Sequence, residues 1–128
     1  MKRRYQVAVC IYALVLLWLM CAPQPLGDLP GELELSDVVG HLVAYGGFAL
    51  TISMGIWRSG RELPVMCLLR QPAVLSASYG LILECAQIAM PMRTFEWKDV
   101  LMNTVGALLA QWFFCLAVGA HPLRWHKR

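Results

Sequence analysis

Residues 38–57 read VVGHLVAYGGFALTISMGIW, twenty consecutive positions with one histidine and no formal charge. A helix crossing the hydrocarbon core of a bilayer needs roughly 20 mostly apolar residues, so this stretch reads as a membrane span. Working outward, three more runs meet the same test. Residues 72–90 (PAVLSASYGLILECAQIAM) carry one glutamate, whereas 100–118 (VLMNTVGALLAQWFFCLAV) and 5–22 (YQVAVCIYALVLLWLMCA) carry no charge. Lipid offers no hydrogen bonds to the backbone, so each run must be a helix that satisfies its own N–H and C=O groups. The alternation of barrel strands is missing. The expected fold is all-α: one domain over residues 1–128, a bundle of four transmembrane helices at about 5–22, 38–57, 72–90 and 100–118.

Composition points the same way. Of 128 residues, 59% are hydrophobic and 15% charged, against about 25% charged in soluble domains. Met1-Lys2-Arg3-Arg4 ahead of an apolar run has the look of a signal peptide. Cleavage after Ala22 would set Met20 where a small residue is preferred and Pro23 just beyond, so the first helix is expected to be retained. The five cysteines (10, 21, 67, 85, 115) show no CxxC spacing and read as small apolar residues, not as a disulfide or zinc framework.

Basic residues collect in cytoplasmic segments and set orientation. Four spans place Lys2, Arg3, Arg4, Arg58, Arg61, Arg70, Arg124, Lys127 and Arg128 on one side, and only Arg93 and Lys98 on the other. Both termini are therefore expected in the cytoplasm. The net charge of +3 is a topological signal, complemented by attraction to anionic headgroups, and no nucleic-acid partner is implied. Residues 23–37 read as an external loop ending in Ser36-Asp37, a cap for the second helix. Residues 58–71 read as a cytoplasmic connection with a short interfacial turn near Leu63–Leu69, and 91–99 as a tight external turn. Phe95 and Trp97 suit the outer headgroup level, Trp57 and Trp125 the inner one.

Polar residues inside the spans are sparse and patterned. Asp37, His41 and Tyr45 recur every fourth residue and share one helix face. Glu84 and Gln87 share a face of the third helix, and Asp99, Asn103 and Gly106 follow helical spacing on the fourth. The topology brings these sets to similar depth beneath the outer headgroups, with Arg93 just above. A charged side chain at a span's centre costs about 2.5–3.5 kcal/mol, so Glu84 should point inward, with His41 as partner or Arg93 from above. Blander roles exist for each: helix capping for Asp37 and Asp99, an interhelical hydrogen bond for Asn103, core aromatics for Tyr45 and Tyr79, close packing for Gly46-Gly47 and for Gly106 with Ala110.

At these positions the chain resembles the VanZ-like family of small membrane proteins. The matching residues are Asp37…His41…Tyr45 in SDVVGHLVAYGG, Tyr79-Gly80…Glu84…Gln87 in YGLILECAQ, and Arg93…Asp99…Asn103…Gly106 in RTFEWKDVLMNTVG. The likeness covers about residues 36–111. Val38 stands where a lysine often follows the aspartate, and Ala110 replaces a second glycine. The resemblance implies a multi-pass protein of the bacterial plasma (inner) membrane and cell envelope and, for the family's namesake, antibiotic resistance through lower sensitivity to a lipid-tailed glycopeptide. It brings no defined reaction.

Three functions are open on this reading. The first is a module that binds or modifies a lipid, a lipid-linked cell-wall intermediate or a lipoglycopeptide through an outward polar pocket of Asp37, His41, Tyr45, Glu84, Gln87, Arg93, Asp99 and Asn103. The second is an intramembrane hydrolase or transferase with His41 or Glu84 as general base. The third is a structural subunit without a ligand, in a homo-oligomer or beside another membrane protein. No cofactor motif is present, and one histidine among scattered acids gives no metal pattern. The first reading is preferred.

Overall fold

The computed structural model describes residues 1–21, 32–60, 65–90 and 94–118. They form four helices: α1 (Arg3–Cys21), α2 (Glu32–Trp57), α3 (Val65–Gln87) and α4 (Trp97–Val118). The architecture is all-α, as expected. Three of the helices, α1, α2 and α4, are long and apolar enough to cross a membrane.

The third helix falls short of that measure, and the reason is instructive. Its polar residues Ser76, Glu84 and Gln87 are buried inside the bundle. Its outward face carries Val74, Leu75, Leu81 and Ile82, all exposed. Average hydropathy is thus lowered in part by groups turned into the bundle, and in part by the exposed Arg70, Gln71 and Ser78. At 1.5 Å per residue, the 23 residues of α3 extend about 34 Å. Pro72 lies inside it and removes one helical hydrogen bond, a loss that membrane helices tolerate through their neighbours.

Helix ends differ from the sequence reading in three places. α2 starts at Glu32, because Glu32-Leu33-Glu34-Leu35 is a run of good helix formers. Ser36 and Asp37 therefore lie within the helix and do not begin it. α3 starts at Val65, which takes in most of the interfacial turn expected at Leu63–Leu69. α4 starts at Trp97, so Asp99 sits in its first turn, where an anion complements the helix dipole.

α2 is the central element. It packs most extensively on α4, then on α3, while α1 leans on α2 and touches α3 little. The α2–α4 crossing is set by small residues. A Cβ on Gly106 would strike the Leu42 carbonyl oxygen and lie 2.9 Å from its Cα; one on Gly46 would lie 3.0 Å from the Gly106 carbonyl. The two backbones touch here, as small-residue faces allow in membranes. Leu16, Tyr45, Phe48, Ile52 and Leu83 form the apolar core, with Phe48 against Tyr12 and Tyr79 at 5.5 and 5.4 Å between ring centroids. α1 is tied in by two hydroxyls: Tyr12 donates to the Ala44 carbonyl (3.0 Å) and Tyr79 to the Ala13 carbonyl (2.8 Å).

The ends of the bundle are distinct. At one, α1 begins where α2 finishes, with Met1 and Tyr5 beside Gly55, and the Arg58 guanidinium covers the Trp57 ring at 4.9 Å. At the other, α2 and α4 begin and α1 and α3 finish, with Phe95 edge-on to the exposed Trp97 at 4.8 Å. Interfacial aromatics thus mark both ends; Trp125 lies outside the described residues. Cys10, Cys67, Cys85 and Cys115 are free thiols.

Candidate functional site

The close α2–α4 crossing delivers His41 and Asn103 to one another. His41 is one turn beyond Asp37 on α2, and Asn103 one turn beyond Asp99 on α4, so two short polar ladders face each other across the contact. The His41 Nδ1 and the Asn103 Oδ1 are 2.8 Å apart. In this orientation of the Asn103 amide Nδ1 carries the hydrogen and donates; with the amide turned end for end, Asn103 donates and the ring hydrogen sits on Nε2. The other ring nitrogen, Nε2, then faces carboxylates on both sides: Asp99 Oδ2 at 3.5 Å and Asp37 Oδ1 at 3.7 Å. Tyr45, one turn further in, lies nearly parallel to the imidazole with ring centroids 6.2 Å apart.

α3 closes the site. Gly80 makes room for both neighbours, since a Cβ there would lie 2.8 Å from Asn103 Nδ2 and from Tyr45 Cε1. Ser76 donates to the Tyr45 carbonyl at 2.8 Å. One turn past Gly80, Glu84 accepts a hydrogen bond from the Glu96 backbone N–H at 2.9 Å. The Glu96 carbonyl in turn accepts from the N–H groups of Asp99 and Val100, so the Glu84 carboxylate holds the residue that starts α4. Gln87 lies between that carboxylate and the Met20 carbonyl of α1, both acceptors. With its amide nitrogen turned to Glu84, it donates at 3.2 and 3.3 Å; turned the other way, it reaches Met20 O at 3.4 Å. The shorter bonds to a charged acceptor favour the first arrangement.

Seven of the eight residues expected to form the pocket, Asp37, His41, Tyr45, Glu84, Gln87, Asp99 and Asn103, gather at one end of the bundle. Arg93 lies outside the described residues. His41, Glu84, Gln87, Asp99 and Asn103 are all buried, while half of the Asp37 side chain is exposed. The cluster therefore opens past Asp37. The pairing expected from sequence, His41 with Glu84, is not the one formed. Glu84 is close enough to the end of α3 to reach the start of α4, and the glycine crossing puts Asn103 opposite His41 first.

Among the described residues, three polar atoms here are buried without a hydrogen-bond partner: Tyr45 Oη, Asp99 Oδ1 and Asn103 Nδ2. Most buried polar groups in native proteins are satisfied, and exceptions mark function, water or an ion. Ser76 is absent from the sequence reading of the site, and Gly80 enters it only through the family likeness. The signal is available: positions 76, 80, 84 and 87 fall on one helical face, a small-and-polar stripe.

Apolar helices that turn their few polar side chains inward, most of them toward one end, define a polytopic membrane protein. The family model for VanZ/LLP1 matches residues 9–118, and the chain belongs to that family. No curated protein and no solved structure matches it.

Proposed function

We propose that this VanZ/LLP1-family protein crosses the bacterial plasma membrane four times, with both termini in the cytoplasm, and holds the headgroup of a lipid-linked envelope molecule or lipoglycopeptide in the cluster around His41. Two observations support the topology. The outward side chains of α3 suit lipid although its mean hydropathy is low. Under four spans, nine of the eleven lysines and arginines would fall on the side of Arg4 and Arg58, the side that biogenesis keeps inside. The cluster then lies just beneath the outer headgroups.

The observation that carries the function is the set of unsatisfied buried atoms on Tyr45, Asp99 and Asn103. A buried polar atom without a partner costs about 1–3 kcal/mol, and three at one spot suit a site whose ligand supplies the missing bonds. Carboxylates dominate the described part of the site, which favours the hydroxyl and ammonium groups of sugars and amino acids. Arg93, which precedes α4 in the sequence, would meet an anionic portion.

The test is growth inhibition by a lipid-tailed glycopeptide in bacteria producing the chain. Wild type is expected to raise the inhibitory concentration at least fourfold on the order expected for loss of one tight contact, about 1 kcal/mol. His41→Gln and Asp99→Asn should lose that protection at equal membrane abundance. Protection that survives both substitutions would remove the site from the function.

A further inference from the structure

One ring nitrogen and two carboxylates of this cluster converge on a common space. With Nδ1 donating to Asn103, a neutral imidazole points the bare lone pair of Nε2 toward two aspartates. One ligand atom from each of Asp37, His41 and Asp99 lies within 4.8 Å of the other two. Glu84 adds a third carboxylate nearby, and Lys98 lies within electrostatic reach of Asp99. Donor atoms converging from three side chains in this way are held together by a hydrogen on Nε2 or by a metal cation between them.

We propose that Asp37, His41 and Asp99 form a binding site for a divalent transition-metal ion of the Zn²⁺ or Mn²⁺ class. The spacing suits it: bonds of about 2.0–2.2 Å in a tetrahedral shell put ligand atoms about 3.4 Å apart, and the two nitrogen–oxygen separations are 3.5 and 3.7 Å. Imidazole with carboxylates is a donor set for zinc, iron and manganese more than for calcium. Asn103 supplies the outer contact that a metal-bound histidine ordinarily makes, an acceptor for the opposite ring N–H that fixes tautomer and ring orientation. A second observation points to a ligand here. Asp99 is 8% exposed and its Oδ1 has no partner, and the wholly buried Tyr45 hydroxyl, also unpartnered, stands within electrostatic reach of Asp99 and Glu84.

Three protein ligands leave the metal an open position, and the half-exposed side chain of Asp37 places that position toward the mouth of the cluster. The inference deepens the headgroup reading and rests on it for the role of the ion. A cation there would let an acidic site receive the phosphate of a lipid-linked intermediate, which the carboxylates alone would repel.

The experiment uses the full chain in lipid nanodiscs, purified without a histidine tag, with metal content measured and Zn²⁺ and Mn²⁺ titrated with no lipid-linked ligand added. About one metal ion per chain is expected. Asp37→Asn, at a half-exposed position that leaves the fold intact, and Asn103→Leu should each weaken binding about 10–100-fold, whereas Gln111→Leu, on α4 two turns deeper, should leave it unchanged. Monodisperse wild type that binds neither ion saturably overturns the site. So does equal binding by wild type and Asp37→Asn, which would put the metal elsewhere. Loss of metal binding with intact glycopeptide protection would overturn the metal and leave the headgroup reading standing.

Discussion

Two polar layers cross the bundle, and they are built differently. One is the His41 cluster. The other lies twelve residues further along α2, about 18 Å away, where Ser53 meets Gln111. Ser53 Oγ is 2.9 Å from the Ala49 carbonyl and 2.8 Å from Gln111 Oε1, while Gln111 Nε2 is without a partner. One hydroxyl hydrogen cannot serve two acceptors. Turning the amide end for end lets Gln111 donate to Ser53 while Ser53 donates to Ala49, with one amide atom, now the oxygen, still without a partner. The layer is neutral and joins two helices through one side-chain pair. The His41 cluster differs in charge: whichever way the Asn103 amide turns, two carboxylates face the imidazole Nε2, and Asp99 Oδ1 has no partner among the described residues. A neutral pair suffices to fix helix packing; carboxylates gathered around an imidazole exceed that need.

Substitutions sharpen that contrast. The largest effect is expected at the element both layers share. Gly106→Val drives side-chain atoms into the Leu42 backbone and should cost about 3 kcal/mol, seen as loss of folded protein in thermal unfolding with both layers broken. Glu84→Leu removes the acceptor from the Glu96 N–H and should cost about 2 kcal/mol. Hydrogen exchange should then accelerate at the start of α4, around Asp99, with the Ser53 layer unchanged. Gln111→Leu should be nearly silent. Hydrogen bonds between membrane helices average about 0.6 kcal/mol, and Ser53 keeps its bond to Ala49. A thermal shift for Gln111→Leu as large as that for Glu84→Leu would show that the two layers are not different in kind.

Much of this was legible in the chain, because lipid imposes a simple rule. Runs free of charge must be helices, and the glycine pairs Gly46-Gly47 and Gly106 with Ala110 announced close approach. The candidate residues were legible as residues, through their four-residue spacing. Their pairing was not. Which of Glu84 and Asn103 meets His41 depends on how closely α2 and α4 approach, and spacing along a helix carries no information about the neighbour's register. The start of α2 was misread because Ser36-Asp37 looks like a cap, while the Glu-Leu run ahead of it continues the helix. The outer contact of Glu84 was invisible for another reason: its partner is a backbone amide, and the residue that supplies it says nothing through its side chain.

Where the cluster faces decides whether it can meet an envelope molecule at all. The direct measurement is labelling of single cysteines by a membrane-impermeant thiol reagent in intact cells, in a chain whose five native cysteines are replaced. Thr94→Cys, beside the cluster, should react at once, and Ser59→Cys, at the opposite end, only after the cells are opened. The reverse pattern would turn the His41 cluster toward the cytoplasm and contradict a site that works from outside.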